Sequence, residues 1–273
     1  MQQLMAGRIL LVTGGTQGLG RAVAEAAARE GAAGVAIVGR SAEKAETALA
    51  AIRAAALEAG GERAQDAQFD ALAIIADLSV PGEAERAVAE TVGRFGRIDS
   101  LVNAAGATSR GGLLDTTREL LEEHLNLNVV VPFMTMQGAV ADMTRRGAPG
   151  TILNVISMSM HGGQPYLAPY VASKAGLAGL TRNVAYAHRF DRIRINGLNI
   201  GWTATPGEAV TQRTFHGADD GWLERASAEQ PMGRLGQPDE IADAIVFLLS
   251  DRSGVVTGSI IDWDQNVPGA YDQ

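Results

Sequence analysis

Short, almost wholly apolar runs alternate along this chain with longer stretches in which Ala, Leu and Val recur among charged residues. The apolar runs, at 8–12, 35–38, 72–76, 98–103, 151–156, 193–199 and near 259–261, read as strands covered on both faces. The stretches between them, 18–30, 42–59, 81–95, 120–146, 170–189 and 238–249, read as helices. Such alternation predicts an α/β fold with about seven parallel strands in one sheet and helices on both faces, because each parallel connection must carry the chain back across the sheet. Two segments break the pattern. Residues 60–71 are polar and read as a surface excursion, and 205–230 carries Pro, Gly, Trp and charged residues, which suggests a mobile helical flap.

Composition narrows the choice of partner. A chain of 273 residues with 46% hydrophobic content can bury one substantial core, and no linker divides it, so 1–273 is expected to be a single domain. The uncharged stretch 148–173 contains Gly, Pro, His, Gln and Ser and cannot cross a bilayer as an apolar helix. The first residues lack the basic segment, apolar run and cleavage site of an export signal, so a cytoplasmic protein is expected. The absence of cysteine excludes disulfides, thiolate catalysis and Cys-based metal centres, and His124, His188 and His216 show no metal-ligand spacing. A net charge of −8 and a pI near 5.1 argue against nucleic acid and anionic membranes. A small molecule is the expected partner.

Two motifs carry chemistry. Thr13-Gly14-Gly15-Thr16-Gln17-Gly18-Leu19-Gly20 lies between the first strand and the first helix. Glycines there let the backbone turn tightly and approach a pyrophosphate at the positive end of the helix, although a tight strand-to-helix turn would use them too. A nucleotide-hydrolase phosphate loop is disfavoured, because Arg21-Ala22 stand where Lys followed by Ser or Thr would be needed. The second motif, Tyr170-Val171-Ala172-Ser173-Lys174, opens a long helix, where residues four apart share a face. A cation beside a phenol is expected to lower its pKa from about 10 toward neutrality, as proton transfer to or from a substrate oxygen requires.

With Asn103-Ala104-Ala105-Gly106 at the end of the fourth strand, these motifs resemble, in the same order, those of the short-chain dehydrogenase/reductase family in its shorter one-domain branch. The resemblance covers nearly the whole chain and implies a Rossmann-like doubly wound sheet forming one dinucleotide-binding and catalytic domain. It implies a carbonyl–alcohol interconversion with Tyr170, Lys174 and Ser157 as catalytic residues and Asn128 anchoring a water that relays protons from the lysine. Ser159 and Asn126 are the nearest competitors for the last two places. It further implies cofactor contacts from Gly14, Thr16, Gln17, Gly18, Leu19 and Gly20, from Asn103, Ala104 and Gly106, and from Tyr170 and Lys174. Asp77 and Leu78 would lie against the adenine, and Gly201 and Thr205 beside the nicotinamide. A homotetramer is expected on the same ground.

After the second strand the chain reads Val38-Gly39-Arg40-Ser41, with no acid to bind a ribose diol. Arg40 can pair with a phosphate through its planar fork and Ser41 can add a hydrogen bond, so NADP(H) is favoured, with NAD(H) as the alternative. The sequence departs from the family pattern at Asn199-Ile200-Gly201, where Pro-Gly is usual, and at Ile261-Asp262-Trp263-Asp264-Gln265, where Asp-Gly-Gly is common, and the second departure puts the usual subunit contact in doubt. His161, Gln164 and Trp202, with Arg110 beyond them, are expected to border the substrate pocket, and the hydrogen-bonding side chains suggest a sugar or polyol. His161 and Gln164 could equally do no more than tie down their loop. A non-redox dinucleotide sensor would have no need of Ser157, Tyr170 and Lys174 together. An epimerase or dehydratase with a tightly bound cofactor is disfavoured by the short length and the glycine spacing, and a hydrolase by the absence of a Gly-x-Ser-x-Gly elbow.

Overall fold

The computed structural model describes residues 3–60 and 69–267. Seven strands form one parallel sheet: β1 (Ile9–Thr13), β2 (Gly34–Gly39), β3 (Asp70–Ile75), β4 (Ser100–Asn103), β5 (Gly150–Val155), β6 (Ile193–Ile200) and β7 (Ile260–Trp263), in the order β3-β2-β1-β4-β5-β6-β7. Alternate side chains of β1 feed opposite cores. Leu10 and Val12 join the cluster that includes Val23 and Ile245, whereas Leu11 joins Val88, Met136 and Met143 on the other face. The helices are α1 (Gly18–Arg29), α2 (Ala42–Gly60), α3 (Glu83–Phe95), α4 (Arg118–Leu125), α5 (Val131–Arg146), α6 (Ala168–His188), α7 (Pro206–His216), α8 (Trp222–Ala228) and α9 (Pro238–Leu249). After β3 the chain returns to the other side of β1 to form β4, so strand order reverses between β1 and β4 and opens a crevice at their carboxyl ends.

Several sequence expectations are corrected. The stretch 120–146 is not one α-helix: a π-helical turn, Asn126–Val130, separates α4 from α5. The Val131 amide reaches back to the Asn126 carbonyl, and Pro132 has no N–H to close an α-type bond to Asn128. Residues 70 and 71, expected in a surface excursion, begin β3, with Asp70 paired to Gly34 and bonded to Arg94 at 2.7 Å; the polar residue marks an edge strand and not a loop. The rest of that excursion, 61–68, lies outside the described residues. The last strand runs to Trp263 because Ile200, unlike proline, continues the ladder and pairs with it. The expected flap resolves into α7 and α8, with Trp222 buried beside Ala226 and Leu235.

Candidate active site

The glycine loop is built for close backbone approach. Gly14 has φ of +68°, and a β-carbon there would meet the Ala105 amide nitrogen at 2.9 Å; one on Gly20 would meet the Gly14 carbonyl oxygen at 2.4 Å. Gln17, at the start of α1, makes no side-chain cap, so the first amides of the helix remain available to an anion. Leu19 is buried and anchors the loop, and Thr16 packs over Gly39 at the end of β2. Across the crevice, Thr205 caps α7 and lies 3.6 Å from where a Gly18 β-carbon would stand. These tight cradles and open helix amides fit a dinucleotide.

The Asn103 side chain faces inward. It donates to Asn154 at 2.9 Å and accepts from Thr135 at 2.7 Å, while Thr13 Oγ1 accepts the Ala104 and Ala105 amides. It therefore fixes the strand ends, leaving Ala104 and Gly106 as the wall of the crevice. Gly201 donates its amide to Trp263, which holds the end of β6 beside β7.

Tyr170 and Lys174 lie one helical turn apart on α6, with Lys174 Nζ 5.8 Å from the centre of the phenol ring. Lys174 is buried and donates to the Val155 carbonyl at 2.8 Å, and burial pulls its pKa down to about 8. The expected depression of the Tyr170 pKa is reversed: burial pushes the phenol above its ordinary value and Glu208 adds to the rise, against weaker stabilisation of the phenolate by the Ser157 hydroxyl and by Arg110. The ammonium is turned toward a carbonyl of β5, and burial of the phenol outweighs what nearby groups return. Ser157 stands between β5 and a 3-10 turn, Met158–His161, where its hydroxyl accepts the Ser159 amide at 3.2 Å.

Asn128 sits inside the π-turn, fully buried. Its Oδ1 accepts the Ala107 amide, and its Nδ2 donates to the Ala107 carbonyl and to Ser173 Oγ. Both amide hydrogens are thus occupied, and a relay through this residue would use its main-chain carbonyl. Asn126 instead donates to the Ser79 carbonyl, which ties α4 to the β3 end.

After β2, Arg40 is exposed and, among the described residues, makes no ion pair, whereas Ser41 caps α2 by accepting the Lys44 amide. Sequence reasoning missed Lys44. Its ammonium reaches the Gln17 carboxamide at 2.7 Å, bringing a second cation to the glycine loop. The signal was a basic residue four positions after Arg40, one helical turn along. Asp77 accepts both the hydroxyl and the amide of Ser79, which with Arg40 hold its carboxyl below the ordinary range, and Leu78 is buried beneath it.

The expected substrate residues are more occupied than their sequence suggested. His161 contacts Asn199 at 3.1 Å and Asp262 at 3.6 Å, and Gln164 accepts the Ser159 hydroxyl, so both tie the loop down. Arg110 lies over the rings of Tyr166 and Phe215, each 5.5 Å away, and its fork is shared between His216 and Thr108. The Trp202 indole donates to Glu208 at 2.8 Å, a residue that sequence reasoning did not select. A cavity of about 550 Å³ at the ends of β6 and β7 shares Gly201 and Trp202 with this region, but none of Ser157, Tyr170 and Lys174 lines it. Among the described residues no helix is long and apolar enough to cross a membrane, and no group of acidic, His or Cys side chains is arranged to hold a metal.

A family model described as enoyl-(acyl carrier protein) reductase matches residues 14–265. L-Rhamnose 1-dehydrogenase (NAD(P)(+)) of Sphingomonas sp. (strain SKA58) is 33% identical over 260 residues, covering 95% of each chain. 2-Dehydro-3-deoxy-D-gluconate 5-dehydrogenase of Formosa agariphila is 31% identical over 96% of this chain and 92% of that protein. Among solved structures, L-sorbose reductase from Gluconobacter frateurii, complexed with NADPH and L-sorbose, superposes with a TM-score of 0.87 at 26% identity over 99% of this chain and 100% of that one. A match that begins in the glycine loop and ends beyond β7 takes in the cradle, the dyad and every strand after β1, and on that extent this chain is an oxidoreductase of the short-chain dehydrogenase/reductase family.

Proposed function

We propose that the protein interconverts a carbonyl and a secondary alcohol on a sugar or polyol, with NADP(H) as the hydride carrier. The observation that carries this reading is the placement of Ser157, Tyr170 and Lys174 beside the crevice that the glycine loop opens. The bound nicotinamide supplies or accepts the hydride. Ser157 holds and polarises the substrate oxygen, Tyr170 gives or takes the proton at that oxygen, and Lys174 favours the phenolate and exchanges the proton with a water anchored by the Asn128 carbonyl. Gly14, Gly18 and Gly20 admit the pyrophosphate, Asp77 and Leu78 wall the adenine site, and Thr205 closes over the nicotinamide end. The relatives named for rhamnose and sorbose support the substrate class, and the lack of cysteine fits a cytoplasmic setting. A homotetramer belongs to the same reading. Cofactor absorbance measured over sugars, polyols and hydrophobic ketones tests it: turnover of the ketones alone would end the sugar assignment.

NADP(H) is favoured because Arg40 and Lys44 frame the ribose end with two cations and no acid stands at the tip of β2. A charge-assisted bond to a phosphate contributes more than a neutral one, so Arg40→Ala is expected to lower the NADP-over-NAD ratio of kcat/KM by about ten- to a hundredfold. Lys44→Ala should lower it further in the double variant. Kinetics with both cofactors decide; a wild type that prefers NAD, or a ratio indifferent to Arg40, overturns the assignment.

A further inference from the structure

We propose that Glu208 selects the substrate: its carboxylate accepts hydroxyl groups of an uncharged sugar or polyol and turns away molecules that carry a carboxylate of their own. The inference rests on the carbonyl–alcohol reading and deepens it. Glu208 lies in the first turn of α7, three residues after Thr205, which touches the glycine loop, so the side chain stands at the nicotinamide end of the crevice. Thr205-Pro206-Gly207-Glu208 has the spacing of a capping box, in which the glutamate would bend back to the Thr205 amide. Only half of that box forms. Thr205 Oγ1 accepts the Glu208 amide at 3.0 Å, but the glutamate side chain turns outward.

One carboxylate oxygen is fixed and the other is free. Oε1 accepts both the Trp202 indole N–H at 2.8 Å and the Gln212 amide at 2.7 Å. Among the described residues Oε2 has no hydrogen-bond partner, is not one of the buried unpartnered atoms, and faces no salt-bridging cation. The group is therefore held in direction while an open acceptor is presented. Glu208 is near enough to the Tyr170 phenol to push its pKa up, and Arg110 near enough to oppose that rise. Arg110 is not open in the same way, since Thr108 and His216 occupy its fork and two aromatic rings lie 5.5 Å from it. An aligned carboxylate accepts strong charge-assisted bonds from hydroxyls and repels a second carboxylate across a partly desolvated crevice.

Glu208→Gln tests this while keeping an oxygen for Trp202. Steady-state kinetics would compare neutral hexitols and ketohexoses, hexonates and their keto forms, and whichever monofunctional secondary alcohol the protein oxidises fastest. The expected result is a rise of about ten- to a hundredfold in KM for the neutral polyols, a gain in kcat/KM for the acids, and no comparable rise in KM for the monofunctional alcohol, whose kcat reads the loss of the Glu208 charge near Tyr170. Glu208→Asp, which keeps the charge, should still reject the acids, and melting temperatures report whether each variant is folded. Equal losses for all three classes, or a wild type that prefers hexonates, overturn the role of Glu208 while leaving the sugar reading in place. A wild type that oxidises only the monofunctional alcohol overturns the sugar reading and this inference with it.

Discussion

Tyr170→Phe is expected to lower kcat by about 10²- to 10⁴-fold, the usual contribution of a positioned proton donor, while leaving cofactor affinity nearly unchanged. The substitution removes one oxygen from a half-buried ring whose packing against His124, with centroids 6.5 Å apart, stays intact. Loss of chemistry with retained binding is the signature of a group that acts in the transition state. The wild-type pH dependence follows from the same pair. Reduction consumes the phenol proton, so its rate is expected to hold at low pH and to fall as pH rises past about 8, where Lys174 loses its ammonium. Oxidation needs phenolate and, because burial holds the phenol above its ordinary value, should rise only at higher pH, beyond the range in which Lys174 loses its ammonium. Stopped-flow cofactor absorbance in both directions separates these limbs. Undiminished turnover by Tyr170→Phe would remove Tyr170 from the mechanism.

The parts of this site that are local in sequence could be read from it, and the parts that depend on where helices meet could not. The glycine loop and the Tyr170–Lys174 pair each lie within one turn or loop, so residue spacing alone placed their atoms on a common face. The direction of the Tyr170 pKa went the other way because it depends on burial and on Glu208, which approaches from α7, thirty-eight residues away in the chain. Asn128 was found by motif, but the reason for its position, a π-turn before Pro132, leaves no mark in hydrophobic periodicity. Lys44 and Glu208 were both visible as residues, yet each carried a more ordinary explanation. A lysine in the first turn of α2 looks like a solvated charge, and a glutamate three residues after a threonine looks like a helix cap. Only the bond from Lys44 to Gln17 and that from Trp202 to Glu208 show where these side chains go.

Gly20→Ala and Gly93→Ala, although the same change in residue type, are expected to move the protein in opposite directions. At Gly20 the new methyl would fall 2.4 Å from the Gly14 carbonyl oxygen and 2.8 Å from its carbon, and these are backbone atoms of the turn itself. The loop must therefore open, at a cost of about 1–3 kcal/mol if the fold accommodates it as it would an overpacked core. Opening it also pulls Gly14 away from Ala105, whose amide lies 2.9 Å from the Gly14 β-carbon position, and so deforms the cradle proposed for the pyrophosphate. Cofactor Kd is expected to rise at least about tenfold, which corresponds to about 1.4 kcal/mol. At Gly93, in the exposed face of α3, a β-carbon meets nothing within 4 Å, and replacing a helical glycine there should stabilise the fold by about 1 kcal/mol. Thermal melting with and without NADP(H) reads both effects. Gly20→Ala should melt lower and gain less from the cofactor than the wild type, whereas Gly93→Ala should melt higher and keep the full gain. An unchanged cofactor-induced shift in Gly20→Ala would mean that the dinucleotide does not lie against this loop.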